Sequence, residues 1–86
     1  MGLKNQFEEA IDRAKSLPSQ SNETLLELYG LYKQATAGDV QGDRPGGFDF
    51  LGAAKYDAWA KRRGMSQDQA MQAYADLVDS LAAGIP

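Results

Sequence analysis

The stretch NETLLELYGLYKQATAG, running from Asn22 to Gly38, decides the fold class. Leu25, Leu28, Tyr29, Tyr32 and Ala35 recur in it at i, i+3, i+4, i+7 and i+10, which is one face of an α-helix. A half-buried strand would alternate with period two, and this stretch does not. Both ends are punctuated. Asn22 is the expected N-cap, with Glu23 in the electropositive first turn. Gly38 is the expected C′ residue, where a left-handed backbone ends the helix.

The same period continues on both sides. Leu3, Phe7, Ala10, Ile11, Ala14 and Leu17 make a helical stripe flanked by Glu8, Glu9, Asp12 and Arg13. Pro18 is expected to stop that helix, because the residue before a proline avoids the α region. Ser19 to Asn22 then form a short polar connection. From Gly38 to Phe48 the chain carries four glycines and one proline in eleven residues, the composition of a loop. A loop that long in a helical bundle is expected to cross over the outside. Asp49 is placed to cap a third helix through Ala54, Lys55, Ala58 and Trp59, with Gly64 closing it. Ser66 and Gln69 form a capping box, and Met65 with Ala70 sits where a hydrophobic staple belongs. Ala70, Met71, Tyr74, Leu77, Val78, Leu81 and Ala82 are the apolar face that follows, finished by Gly84 and Pro86. No alternating segment is found. The expectation is an all-α chain of four helices, one domain over residues 1–86.

Composition narrows the chemistry. The 86 residues hold 43% hydrophobic and 24% charged side chains, which is ordinary for a globular domain. With neither cysteine nor histidine, disulfides, thiolate catalysis, Cys/His zinc sites and a histidine base are all excluded. The lack of disulfide staples in so small a chain leans toward a reducing cytoplasm. No signal-peptide run and no span of ~20 apolar residues occurs, so a soluble, unprocessed chain without membrane insertion is expected. The net charge of −3 argues against nucleic acid, which selects basic surfaces. The positive charge is concentrated mid-chain, in Lys33, Arg44, Lys55 and Lys61 to Arg63, where a small polyanion could be held locally.

Tyr29, Tyr32 and Lys33 fall at i, i+3 and i+4 and so share a side of the second helix. Two phenols beside an ammonium suit a phosphorylated aromatic ligand: rings to stack on, hydroxyls to hydrogen-bond, a point charge for phosphate. The same spacing equally describes core tyrosines beside a snorkelling lysine, and spacing alone favours that plainer account. Lys55, one turn before Trp59, adds a second phosphate-holding cation only if the third helix faces the second. Arg44 is either a third cation or a solvated one. Trp59 and Tyr74 are expected in the core. Lys61 to Arg63 complement the negative end of the third helix without any ligand. The carboxylates Glu8, Glu9, Asp76 and Asp79 look solvated, so no catalytic residue is expected.

The segment from Tyr29 to Asp39, YGLYKQATAGD, resembles the signature of the acyl-CoA-binding protein family. Arg44-Pro45-Gly46, Lys55 to Trp59, Gly64-Met65-Ser66 and Ala70 to Tyr74 extend the resemblance at family spacings, over most of Phe7 to Leu81. The resemblance implies an up-down-down-up four-helix bundle whose long loop crosses between helices two and three. It implies a monomeric cytoplasmic carrier of one long-chain acyl-CoA, with no cofactor, no metal and no chemistry. By the same resemblance, Tyr29, Lys33 and Lys55 hold the ribose 3′-phosphate region, Tyr32 packs on adenine and Tyr74 closes the site, with Gly30 and Leu31 inside the same segment. Lys15 contributes from the first helix, and Leu25 and Leu28 lie near the acyl chain. The alternative function is a groove for an amphipathic peptide. Four departures from the family pattern are visible. Leu51 replaces a common lysine, Tyr56 stands where tryptophan is frequent, and Gly47-Phe48 replaces larger aliphatics. The connection at Pro18 to Gln20 is also about one residue shorter than in animal members.

Overall fold

The computed structural model describes residues 2–84, and they form four helices. These are α1 (Leu3–Ala14), α2 (Asn22–Ala37), α3 (Phe50–Ala60) and α4 (Gln67–Ala82). Among the described residues there is no strand.

Local chemistry accounts for each boundary. α1 ends at Ala14, three residues before the expected stop at Leu17. Lys15, Ser16 and Leu17 donate instead to the carbonyls of Asp12, Arg13 and Ala14, a tightened i→i−3 turn. Pro18 thus acts one turn ahead of itself, as the chain must leave the α region before reaching it. The cap of α2 is Ser21, not Asn22. The Ser21 hydroxyl accepts from the Thr24 N–H at 3.1 Å, and Asn22 becomes the first helical residue. Both residue types cap well, and the shorter serine side chain, one position earlier, reaches the third N–H of the helix. Gly38 ends α2 at φ 81°, a conformation that costs a side-chain-bearing residue strain. Asp49 caps α3 through the Gly52 N–H at 2.9 Å. α3 gives way to a turn after Ala60 that Gly64 closes at φ 89°. Both bonds of the Ser66/Gln69 capping box are present, at 3.0 and 2.9 Å. Gly84 follows α4, and Pro86 lies outside the described residues.

One apolar cluster holds α1, α2 and α4 together: Phe7 and Ala10, then Leu28, Leu31 and Ala35, then Ala70, Tyr74, Ala75 and Val78. α4 lies between α1 and α2, while α3 packs on α2. The pairings set the directions. Phe7 meets Tyr74 and Arg13 meets Asp79, so α1 and α4 run parallel. Tyr32 meets Tyr74 while Gln67 donates to the Ala35 carbonyl, so α2 opposes α4. Gln34 and Asp39 at the end of α2 meet Met65 and Gly64 just past the end of α3, so α2 and α3 run the same way. That is up-down-down-up, and it obliges the loop from Gly38 to Asp49 to cross the bundle. The loop is tied down where it passes α3: Tyr56 donates to the Gly42 carbonyl at 2.9 Å, and Arg44 forms a two-pronged ion pair with Asp57 at 2.9 and 3.0 Å.

Two burial expectations fail. Leu25 and Tyr32 of the expected α2 stripe are 51% and 39% exposed, and Leu31, outside that stripe, is buried instead. The face of α2 toward the core is therefore Leu28, Leu31 and Ala35, rotated from the sequence stripe because α2 must serve α4 and α3 at once. Trp59 is not in the core either. It is half-buried beside the end of α2, and its indole N–H donates to the Gly38 carbonyl at 2.7 Å.

Candidate functional site

The site residues gather where α2 meets α3 and α4. Close contact of α2 and α3 depends on Gly30, which is buried directly against the Ala58 carbonyl. With the helices this close, Tyr29 and Lys33 of α2 come beside Lys55 and Trp59 of α3, and two ammonium groups are exchanged. The Lys55 Nζ lies 5.3 Å from the centre of the Tyr29 ring, and the Lys33 Nζ lies 4.8 Å from the Trp59 ring. Both distances are cation–π contacts. Among the described residues neither lysine makes an ion pair, whereas Arg13, Lys15, Arg44 and Arg62 all do. Two cations resting on aromatic faces, with no carboxylate to neutralise them, leave their charge available to an anion.

Tyr32 lies on the other flank of α2. Its ring centre is 6.1 Å from Phe7 and 6.4 Å from Tyr74, and Phe7 and Tyr74 meet edge-on at 5.2 Å. Tyr32 is exposed, while Tyr74 is only 6% exposed. Burial raises the Tyr74 phenol above its ordinary pKa, and the neighbouring Tyr32 adds to that, so Tyr74 stays a neutral hydroxyl at physiological pH. The expected common side for Tyr29, Tyr32 and Lys33 is thus divided. Tyr29 and Lys33 address α3, and Tyr32 addresses α1 and α4.

The remaining expected residues separate clearly. Leu28, Gly30 and Leu31 are buried and shape the site from within. Leu25 is exposed near the start of α2. Lys15 is exposed just past α1 and paired with Asp12 at 3.6 Å. Arg44 is neutralised by Asp57 and is not a free third cation. Sequence reasoning missed Phe7 and Trp59 as site neighbours. Trp59 meets Lys33 across two helices, a contact that spacing within α3 does not show. The candidates form an open face. A concavity of about 580 Å³ between α2 and α3, lined by Leu26, Glu27, Ala54, Ala58 and Arg62 among others, contains none of them. Among the described residues no cluster could hold a metal ion, and no helix is long and apolar enough to cross a membrane.

The family model for acyl CoA binding protein matches residues 4–78. The chain belongs to the acyl-CoA-binding protein family. It is 50% identical over 82 residues to the acyl-CoA-binding protein of Ricinus communis, covering 94% of this chain and 91% of that one. The acyl-CoA-binding protein homolog of Manduca sexta is 47% identical, with 99% and 97% covered. The crystal structure of Oryza sativa acyl-CoA-binding protein 2 superposes with a TM-score of 0.93 at 46% identity, over 96% of this chain and 93% of that one. The crystal structure of ACBP from Moniliophthora perniciosa gives a TM-score of 0.88 at 36% identity, over 98% of this chain and 83% of that one.

Membership in this binding-protein family gives the departures a place in the structure. Leu51 is exposed in the first turn of α3, two residues from Asp49. Tyr56 uses its hydroxyl to hold the crossover loop. Phe48, 92% exposed, lies 6.4 Å from the exposed Phe50 ring.

Proposed function

We propose that this chain, as one domain, binds and carries one long-chain fatty acyl-CoA and releases it unchanged. The observation that carries this is the pair of unneutralised ammoniums of Lys33 and Lys55, seated on Trp59 and Tyr29 across the α2–α3 contact. Lys33, Lys55 and the Tyr29 hydroxyl take the ribose 3′-phosphate region. Tyr32, exposed and backed by Phe7, offers its ring to adenine, and Tyr74, packed beside both, closes the site. Lys15 assists from the end of α1. The acyl chain follows exposed apolar surface that includes Leu25, with Leu28 beneath it. These assignments follow the family resemblance, and the geometry supports them by bringing Tyr29 and Lys33 of α2 beside Lys55 of α3, and Tyr32 of α2 beside Tyr74 of α4. A groove for an amphipathic peptide would need an apolar rim, and two lysines at the rim disfavour it.

Buried methylenes contribute about 0.8 kcal/mol each, so ~14 carbons give on the order of 10 kcal/mol before ordering is subtracted. That term would favour any fatty tail. The phosphate and adenine contacts must supply the preference for the CoA ester. With no histidine and no cysteine, the chain lacks the usual base and thiol nucleophile of thioester hydrolysis, and the function is sequestration. A monomer acting in the cytoplasm fits this role.

Calorimetric titration tests it. Acyl-CoA should saturate at one equivalent and bind far more tightly than free CoA or free fatty acid; equal affinity for fatty acid and acyl-CoA would overturn the head-group assignment. Lys33→Ala should weaken acyl-CoA binding by about 1.5–3 kcal/mol, the loss typical of a charged hydrogen bond. Unchanged affinity would remove Lys33 from the site.

A further inference from the structure

We propose that Trp59 is a positioning residue for the head-group site, holding the Lys33 ammonium where it meets the ligand's phosphate. This rests on the function proposed above. A lysine at the edge of a bundle has four rotatable bonds and usually no fixed place. Lys33 is different in three respects. It is half-buried, it has no ion-pair partner among the described residues, and its Nζ sits 4.8 Å from the centre of the Trp59 ring. That ring is itself fixed. Its N–H donates to the Gly38 carbonyl at 2.7 Å, and Gly38 is the cap of α2, the helix that carries Lys33. Trp59 therefore belongs to α3 but is bonded to the end of α2, with its face turned to a cation five residues before its own acceptor.

The neighbouring pair lacks this feature. Lys55 rests on Tyr29 at 5.3 Å, but among the described residues Tyr29 makes no side-chain hydrogen bond. Its hydroxyl remains available to a ligand. The tryptophan pair is thus built as a fixed seat, the tyrosine pair as a working contact. A seated ammonium loses less freedom when it grips a phosphate, and the ring attracts the cation without cancelling its charge, as a carboxylate would.

The test separates positioning from packing. Binding is measured for Trp59→Leu and Trp59→Phe, with acyl-CoA and with the dephospho ester lacking the 3′-phosphate, each alone and combined with Lys33→Ala. Trp59→Leu should weaken acyl-CoA about 5–10-fold, the order of a partly desolvated cation–π contact, and the dephospho ester less than about 2-fold. In the Lys33→Ala background the loss on acyl-CoA should also shrink to less than about 2-fold, since the two residues act as a unit. Trp59→Phe, which keeps a ring but loses its tether, should fall between. Equal losses on both ligands, or a full loss that persists without Lys33, would overturn the proposal and leave Trp59 a packing residue. Where Trp59→Leu does not fold by circular dichroism, 5-fluorotryptophan at this single tryptophan replaces it. A weaker ring should then cost affinity for acyl-CoA and not for the dephospho ester, and identical affinities would overturn the proposal. Wild-type protein that binds neither ligand would refute the carrier function itself, a result distinct from wild-type binding that Trp59 does not influence.

Discussion

Gly30 shows how far one residue's chemistry reaches. A Cβ there would sit 2.8 Å from the Ala58 carbonyl carbon and closer still to its oxygen, both backbone atoms that cannot rotate away. Helix propensity alone says Gly30→Ala should stabilise α2 by up to about 1 kcal/mol. The contact says the opposite, because overpacking a closed helix interface costs about 1–3 kcal/mol. We expect the contact to win: Gly30→Ala should lower the thermal midpoint, and acyl-CoA titration should show weaker binding as α3 is pushed off α2. A raised midpoint would mean the helices separate at no cost. At this scale the sequence was partly legible. The types and spacing of Tyr29, Tyr32 and Lys33 marked a candidate face. What could not be read was which ring each lysine occupies. Periodicity describes one helix's side, whereas the Lys33–Trp59 and Lys55–Tyr29 exchange depends on how two helices are placed against each other.

The elements were legible in number and type, and less so at their ends. Four apolar stripes of helical period imply four helices, and a capping box as complete as Ser66 with Gln69 fixes a start without ambiguity. Where two good caps stand side by side, sequence cannot choose, because the choice turns on which backbone adopts the extended conformation. Ser21 holds φ −64°, ψ 158° and carries the cap bond to Thr24. Ser21→Ala should therefore cost about 1 kcal/mol in denaturant unfolding, the typical loss of a serine cap. Asn22→Ala sits inside the first turn and should change stability by no more than about 0.5 kcal/mol, or raise it slightly. The reverse order of effects would return the cap to Asn22.

At the scale of the molecule, α3 hangs on α2 rather than on the common core, and its far end is fastened by a small polar junction. The parallel run of α2 and α3 that makes this junction was implied by family resemblance. Hydrophobic period could not have supplied it, since it is silent on direction. Gln34, completely buried, donates to Asp39 at 2.8 Å and to the Met65 carbonyl at 2.7 Å, and the Asp39 carboxylate also accepts from the Gly64 N–H at 2.9 Å. The Gly64 N–H, then the Gln34 amide, then the charge of Arg63 hold the Asp39 carboxyl below its ordinary value of 3.8. A carboxylate depressed in the folded state contributes stability above its unfolded pKa and loses it as pH falls through the lower folded value. The bundle should then weaken below about pH 4, and Trp59, which bonds to Gly38 beside this junction, should report it by fluorescence. Asp39→Asn keeps the shape but removes the charge. It should be less stable than the wild type at pH 7 in urea unfolding followed at Trp59, and should lose less on going from pH 7 to pH 3. Parallel acid profiles for the two proteins would show that Asp39 is not what ties the end of α2 to the end of α3, and that the face carrying Lys33 and Lys55 is held by the Gly30–Ala58 contact and by the bonds of Trp59 to Gly38 and Gln34 to Met65.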